Sequence, residues 1–122
     1  MKKRIINFIS IVLTISLLYV CLAYLNFRSS EKTTNINQAL HAKDQLTIIY
    51  RDGCGRCRRT LPIFFLQHTW EMRKVNVINA KTLSKKQLAQ FHVKITPVFY
   101  LNGKGANTTD LSKINSIYRK SE

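Results

Sequence analysis

The chain has 122 residues, of which 45% are hydrophobic, and it carries twenty lysines and arginines against six acidic residues. At roughly 100 to 200 residues per domain, this length predicts one small domain and excludes a multidomain enzyme. The hydrophobic fraction excludes a disordered charged tail. Three cysteines are too few for a disulfide-stapled secreted scaffold or for a zinc site closed by four cysteines, so their spacing matters more than their number.

The N-terminal part of the chain is predicted to be a membrane anchor. Three positive charges at positions 2 to 4 precede an uncharged run, residues 5 to 27. A helix needs about 20 apolar residues to cross a bilayer, and this run lacks the small-x-small ending of a cleaved signal peptide. We therefore expect residues 1 to 27 to form an uncleaved signal-anchor. The positive-inside rule places the N-terminus in the cytoplasm and the C-terminal domain outside the cell membrane.

The outer part of the chain is predicted to consist of a tether, residues 28 to 36, and one domain, residues 37 to 122. It carries seventeen basic and six acidic residues, a net charge of +11. An outward location removes nucleic acid as the partner for this charge. We expect the charge to provide a solvated surface, or to attract an anionic membrane surface or cell-wall polymer.

The predicted elements of the first half of this domain alternate between helix and strand. A short helix is predicted near residues 37 to 43. The apolar, β-branched run over residues 46 to 51 is typical of a strand buried on both faces. Apolar residues at helical spacing predict a helix over residues 57 to 70, and alternation predicts a second strand over residues 74 to 79.

The second half of the domain begins with a capping box. Ser84 and Gln87 have the spacing of this motif and predict the start of a helix. The pair Asn102-Gly103 is a strong signal for a two-residue hairpin turn. We therefore expect residues 98 to 101 to pair antiparallel with a strand near residues 106 to 109.

A last helix is predicted to begin after Asp110, which can cap it. This order of elements predicts the α/β class, a sandwich with a mixed central sheet. The aromatic residues of the domain are predicted to lie largely in its core: Phe64, Phe65, Trp70 and Phe91.

The chemistry is predicted to lie at Cys54 and Cys57, at the point where a buried strand runs into a helix. Cys54 is expected at the helix N-terminus, where unpaired amides and the helix dipole stabilise a thiolate. The positive charges of Arg56 and Arg58 are expected to stabilise the same thiolate. Cys57, one turn further on, can reach Cys54 to close a redox-active disulfide. We predict that Cys54 is the nucleophile and Cys57 the resolving thiol.

A stabilised thiolate also predicts the direction of the redox chemistry. It stabilises the reduced dithiol, which raises the reduction potential and makes the disulfide a better oxidant than that of a cytosolic reductase. Two other interpretations of the pair remain open at this stage. The cysteines can form a static disulfide or remain buried thiols, or their two thiolates can bind a soft metal such as Cu(I).

Over about residues 35 to 122 the sequence resembles the thioredoxin family. Three features carry the resemblance: the CGRC motif after a strand, Pro62 five positions beyond the second cysteine, and the segment VKITPVFYLNG. The resemblance implies a thioredoxin-like sandwich, preceded here by one transmembrane helix. It also implies a cis proline at Thr96-Pro97 beside the cysteines, with Thr96 and Pro97 binding substrate. We expect no cofactor and no resident metal ion.

Several positions differ from the thioredoxin pattern. Gly53 stands where many members have tryptophan, Arg56 replaces proline, and Ile48 lies where thioredoxins bury an acidic group. These differences argue against reductase activity, and Thr96 is similar to the residue of the thiol-disulfide isomerase branch. In its anchor and small size the chain resembles Gram-positive thioredoxin-like accessory proteins that assist disulfide formation in exported peptides, including bacteriocins.

The sequence therefore predicts an enzyme, a thiol-disulfide oxidoreductase that acts outside the cytoplasm. Its expected partners are an exported cysteine-containing peptide or protein, the membrane, and a recycling redox partner that the sequence does not identify. The alternative is a non-catalytic, membrane-anchored binding or immunity module with the same fold.

Overall fold

The structure, a computed structural model, describes residues 1–71 and 73–121. Helices and strands alternate through most of these residues. The elements are α1 (Lys2–Thr33), α2 (Ile36–His41), β1 (Leu46–Tyr50), α3 (Gly55–His68), β2 (Val75–Asn79), α4 (Lys85–Gln90), β3 (Val98–Leu101), β4 (Lys104–Ala106) and α5 (Leu111–Arg119).

The strands form a mixed sheet in the order β2-β1-β3-β4, which confirms the predicted class. β1 pairs parallel with β2 and antiparallel with β3. All five residues of β1 are buried, as the continuous apolar run predicted. β1 therefore lies inside the sheet and ends directly before the cysteine motif.

The hairpin after β3 differs from the prediction in its register. Asn102 and Gly103 form the turn with positive φ values of 50° and 80°, which suits a two-residue turn. Such a turn places Lys104 directly opposite Leu101. β4 is therefore Lys104–Ala106, and the prediction of a strand near residues 106 to 109 was wrong.

The predicted helix caps are confirmed. Ser84 and Gln87 form both hydrogen bonds of the capping box at the start of α4. The Asp110 carboxylate accepts a hydrogen bond from the backbone N–H of Ser112 at the start of α5. These local signals determine where both helices begin.

The two faces of the sheet are covered by different helices, because side chains alternate along each strand. On one face Ile48 and Phe99 contact the buried sides of α3 and α5. On the other face Ile49 and Val98 pack with residues of α2 and with Phe91. The cysteine motif begins α3 and thus belongs to the first face.

The polar segment predicted as a tether, residues 28 to 36, is helical for most of its length. α1 continues to Thr33, and α2 begins at Ile36 after only two further residues. The first 34 residues contain neither glycine nor proline, and an ion pair of 3.1 Å between Arg28 and Glu31 joins adjacent turns. Nothing in this segment ends the helix earlier.

The second half of α1 packs against the domain. Ala23 is buried, and the Phe27 ring lies 5.3 Å from that of Tyr50 and 5.2 Å from that of Phe65, measured between centroids. The Tyr50 hydroxyl donates a hydrogen bond to Glu31. Together with the burial of Tyr50 this bond raises the pKa of the phenol. The helix predicted as a separate anchor thus completes one face of the domain core.

Candidate active site

Cys54 is the N-cap residue of α3, and the turn after β1 puts it there. The backbone N–H of Cys54 donates to the Arg51 carbonyl over 3.2 Å. Gly53 makes the turn with φ of +77°, a conformation that side chains other than glycine adopt with strain. This backbone requirement explains the glycine at a position where many thioredoxins have tryptophan.

The two thiols are adjacent and differ in exposure. The backbone N–H of Cys57 donates to the Cys54 sulfur over 3.2 Å, so the sulfur takes the role of a helix cap. Both cysteines are free thiols. Cys54 is half-buried, whereas Cys57 is only 4% exposed. A molecule in solution therefore meets Cys54 first.

The surroundings shift the pKa values of the two thiols in opposite directions. Burial raises the pKa of Cys54, but hydrogen bonds from the Cys57 thiol, the Thr96 side chain and two backbone amides outweigh burial and lower it below its usual value. Burial, and after it the hydrogen bond to Cys54, raises the pKa of Cys57. Cys54 therefore loses its proton at a lower pH than Cys57, and Cys57 still carries its proton when Cys54 is a thiolate.

Thr96 and Pro97 lie beside Cys54. β3 pairs with β1 through Val98 and Ile49, and this pairing brings the segment before β3 to the end of β1. The Cys54 thiol donates to the Thr96 carbonyl over 3.5 Å. The Thr96-Pro97 peptide bond is cis, and Thr96 is 6% exposed. The structure thus brings four of the predicted site residues together.

The two arginines predicted to stabilise the thiolate are Arg56 and Arg58. Arg56 lowers the pKa of Cys54 through its backbone amide, whereas we predicted an effect of its charge. Its side chain is half-buried, and that of Arg58 is exposed. A contribution of Arg58 to thiolate stability stays a prediction.

A slot beside the thiols was not predicted from the sequence. It lies between α1 and α3, has a volume of about 450 Å³, and is lined mainly by apolar side chains, with Cys54 and Cys57 among its lining residues. Its two helical walls are some thirty residues apart in the chain. Hydropathy alone contains no signal that these helices meet.

Within residues 1–71 and 73–121, no group of three or more His, Cys, Asp or Glu side chains is arranged to hold a metal ion. The two cysteines are the residues of the site with soft ligand atoms. The site therefore offers two neighbouring thiols, and such a pair is suited to thiol-disulfide exchange.

Trp70 is the exception among the aromatic residues predicted to be buried. It is 73% exposed, whereas Phe64, Phe65 and Phe91 are buried. Trp70 lies just after the end of α3, and its ring centroid is 5.8 Å from that of Tyr19 in α1. The prediction of a core tryptophan was wrong because this residue contacts the long helix on its outside.

Comparison with known proteins identifies the fold. No family model matches the chain, and no curated protein matches it in sequence. Among solved structures it is similar to that of thioredoxin f2 from Chlamydomonas reinhardtii, with a TM-score of 0.52 and 18% sequence identity. The match covers 74% of this chain and 91% of the other. The chain therefore has a thioredoxin-like fold, with a long apolar helix at its N-terminus.

Proposed function

We propose that the protein is a membrane-anchored thiol-disulfide oxidoreductase that forms or rearranges disulfides in exported peptides or proteins. One observation carries the proposal. The Cys54 sulfur caps α3, accepts the N–H of Cys57 over 3.2 Å, and lies 3.5 Å from the Thr96 carbonyl. A nucleophile, a resolving thiol and a docking segment thus meet at one point.

The proposed oxidation transfers one disulfide. A substrate thiolate attacks the Cys54 sulfur of the Cys54–Cys57 disulfide, and Cys57 leaves and takes up a proton. A second substrate thiolate then attacks the substrate sulfur of the mixed disulfide and expels Cys54 as a thiolate. The substrate gains a disulfide and the protein becomes a dithiol. The lowered pKa of Cys54 makes it the better leaving group in the second step.

The docking of substrate is proposed at Thr96 and Pro97. The Thr96 carbonyl faces the Cys54 sulfur, so a peptide bound along this segment has its own cysteine beside the nucleophile. Binding there orients the two sulfurs before exchange, which is the main contribution that a protein surface can make to this reaction.

The membrane part of the proposal rests on α1. Residues 1 to 18 are exposed along their whole length, and the helix is long and apolar enough to span a bilayer. The uncharged residues 5 to 22, which are exposed except for the half-buried Tyr19, extend about 27 Å at 1.5 Å per residue. Tyr19, Tyr24 and Trp70, which contacts Tyr19, lie near the outer end of this stretch, and aromatic side chains of this kind concentrate at membrane interfaces. The domain then sits directly on the outer membrane surface.

The experiment is disulfide formation in a reduced two-cysteine peptide by the oxidised full chain in detergent micelles. Cys54→Ser is expected to abolish it. Cys57→Ser cannot form the disulfide and is expected to be inactive on the reduced peptide. With the disulfide-bonded form of the peptide it is expected to accumulate a mixed disulfide at Cys54, because the resolving thiol is missing. Cys21→Ser is the matched control, since Cys21 is an exposed cysteine of α1. Full activity in Cys54→Ser would contradict the role of Cys54, and a wild-type chain without activity would contradict the proposal and favour a binding module.

A further inference from the structure

The slot between α1 and α3 has the size of a small-molecule site. Its volume of about 450 Å³ falls in the range of roughly 300 to 1,000 Å³ that is usual for such sites. Val20, Ala23 and Phe27 line it on the α1 side, and Leu61 and Leu66 on the α3 side. Both thiol-bearing residues, Cys54 and Cys57, line the same slot.

The walls fit a hydrocarbon chain better than a peptide. They are mainly side chains of α1 and α3, and the end of β1 with the turn after it, residues 50 to 53, lines the rest. Most backbone N–H and C=O groups of a helix are bonded within the helix. A peptide lying between the two helices would therefore bury backbone polar groups without partners there, and each such group costs free energy. An isoprenoid or acyl chain has no such groups.

The position of the slot indicates where its occupant comes from. Val20 and Tyr24 belong to the slot wall and lie at the outer end of the proposed membrane span, and both are exposed. The slot therefore opens at the level of the membrane surface. Arg51, Asp52 and Arg58 line the slot together with the thiols. The two arginines outnumber the one carboxylate, and this positive excess complements the negative charge that a polar head group gains when it is reduced.

We propose that this slot binds an isoprenoid quinone of the membrane, which reoxidises the Cys54–Cys57 dithiol. The inference rests on the proposed function, since a disulfide donor must regain its disulfide after each turnover. The Cys54 thiolate adds to a ring carbon of the quinone. The Cys57 sulfur then attacks the Cys54 sulfur, and the sulfur–carbon bond breaks.

The reaction balances with these participants alone. The dithiol loses two electrons and becomes a disulfide, and the quinone gains them and becomes a quinol. The quinol needs two protons, one from the Cys57 thiol and one from water. No further oxidant takes part.

The test uses the full chain with Cys21→Ser in lipid nanodiscs, so that Cys54 and Cys57 provide the thiols. The reduced protein is mixed either with a short-chain ubiquinone, followed by its ultraviolet absorbance, or with oxidised glutathione. The measured quantity is the ratio of the quinone rate to the glutathione rate. A ratio corrects for any change in the folded fraction or in the reactivity of Cys54.

Val20→Trp fills the slot from an exposed position and is expected to lower this ratio at least about tenfold, because excluding two methylene groups from an apolar site costs about that much. Leu22→Trp is the matched control. Leu22 is an exposed residue of α1 that does not line the slot, so the ratio should stay at the wild-type value.

Two results would overturn the inference. One is an equal ratio in the wild type, Val20→Trp and Leu22→Trp, which would place quinone reduction elsewhere. The other is a wild-type protein that exchanges with glutathione but does not reduce the quinone, which would leave the proposed function intact. Absence of exchange with glutathione would instead count against the proposed function itself.

Discussion

The two sides of the sheet are built from the same strands but are completed in different ways. On the side of α2 and α4, short helices of the domain close a mainly apolar core around Phe91, which also buries the Thr47 hydroxyl. On the side of α3 and α5, the second half of α1 completes the core, which includes Cys57 and leaves a slot open beside it. The difference teaches that one side provides stability alone, whereas the other combines stability with the cysteine pair and with the long apolar helix.

The largest expected effect is a loss of stability that leaves the reactivity of Cys54 unchanged. Phe91 is fully buried on the closed side, and Phe91→Ala should lower the free energy of unfolding by about 3 to 5 kcal/mol. The pH dependence of Cys54 alkylation in the folded protein should not change. Denaturant unfolding followed by the fluorescence of Trp70, the single tryptophan, measures the first quantity. A shifted alkylation profile would show that the two sides are not independent.

A smaller effect is expected where α1 meets the domain. Phe27 is half-buried between Tyr50 and Phe65, and Phe27→Ala should lower the free energy of unfolding by about 2 kcal/mol, less than a fully buried phenylalanine. Phe8→Ala is the control on the same helix, because Phe8 is exposed. Equal stability of the two variants would show that α1 does not belong to the core.

The Tyr50 hydroxyl tests the same contact with a smaller change. Tyr50→Phe removes its hydrogen bond to Glu31 and keeps the ring. We expect a loss of about 1 to 2 kcal/mol in the same unfolding experiment, since one partner is a carboxylate. A variant as stable as the wild type would mean that ring packing alone holds α1 in place.

The subtlest effect concerns Thr96, whose side chain lowers the pKa of both thiols. Thr96→Val removes the hydroxyl at nearly constant volume, so the alkylation rate of Cys54 should rise at a higher pH than in the wild type. Thr109→Val, at an exposed threonine, should leave the profile unchanged. If the pH dependence of Cys54 alkylation is unchanged in Thr96→Val, the low pKa of Cys54 is due to the start of α3 and not to Thr96.

Local signals predicted much of the fold and the position of the cysteines. The buried run of β1 and the capping box at Ser84 depend on neighbouring residues, and both were predicted correctly. Contacts between distant segments were not predictable in this way. Hydropathy shows that α1 avoids water, but not that Phe27 packs on Tyr50. Trp70 was misjudged for the same reason, since an aromatic residue fits a core and a membrane interface equally well.

The reduction potential of the Cys54–Cys57 pair tests the central claim most directly. Equilibration of the full chain with glutathione buffers, followed by alkylation of free thiols, gives this value. Because the Cys54 thiolate is stabilised at the start of α3, we expect a potential clearly above the value of about −270 mV that is typical of a reducing thioredoxin. A potential at or below that value would contradict the account, since the disulfide would then be too stable to oxidise an exported substrate.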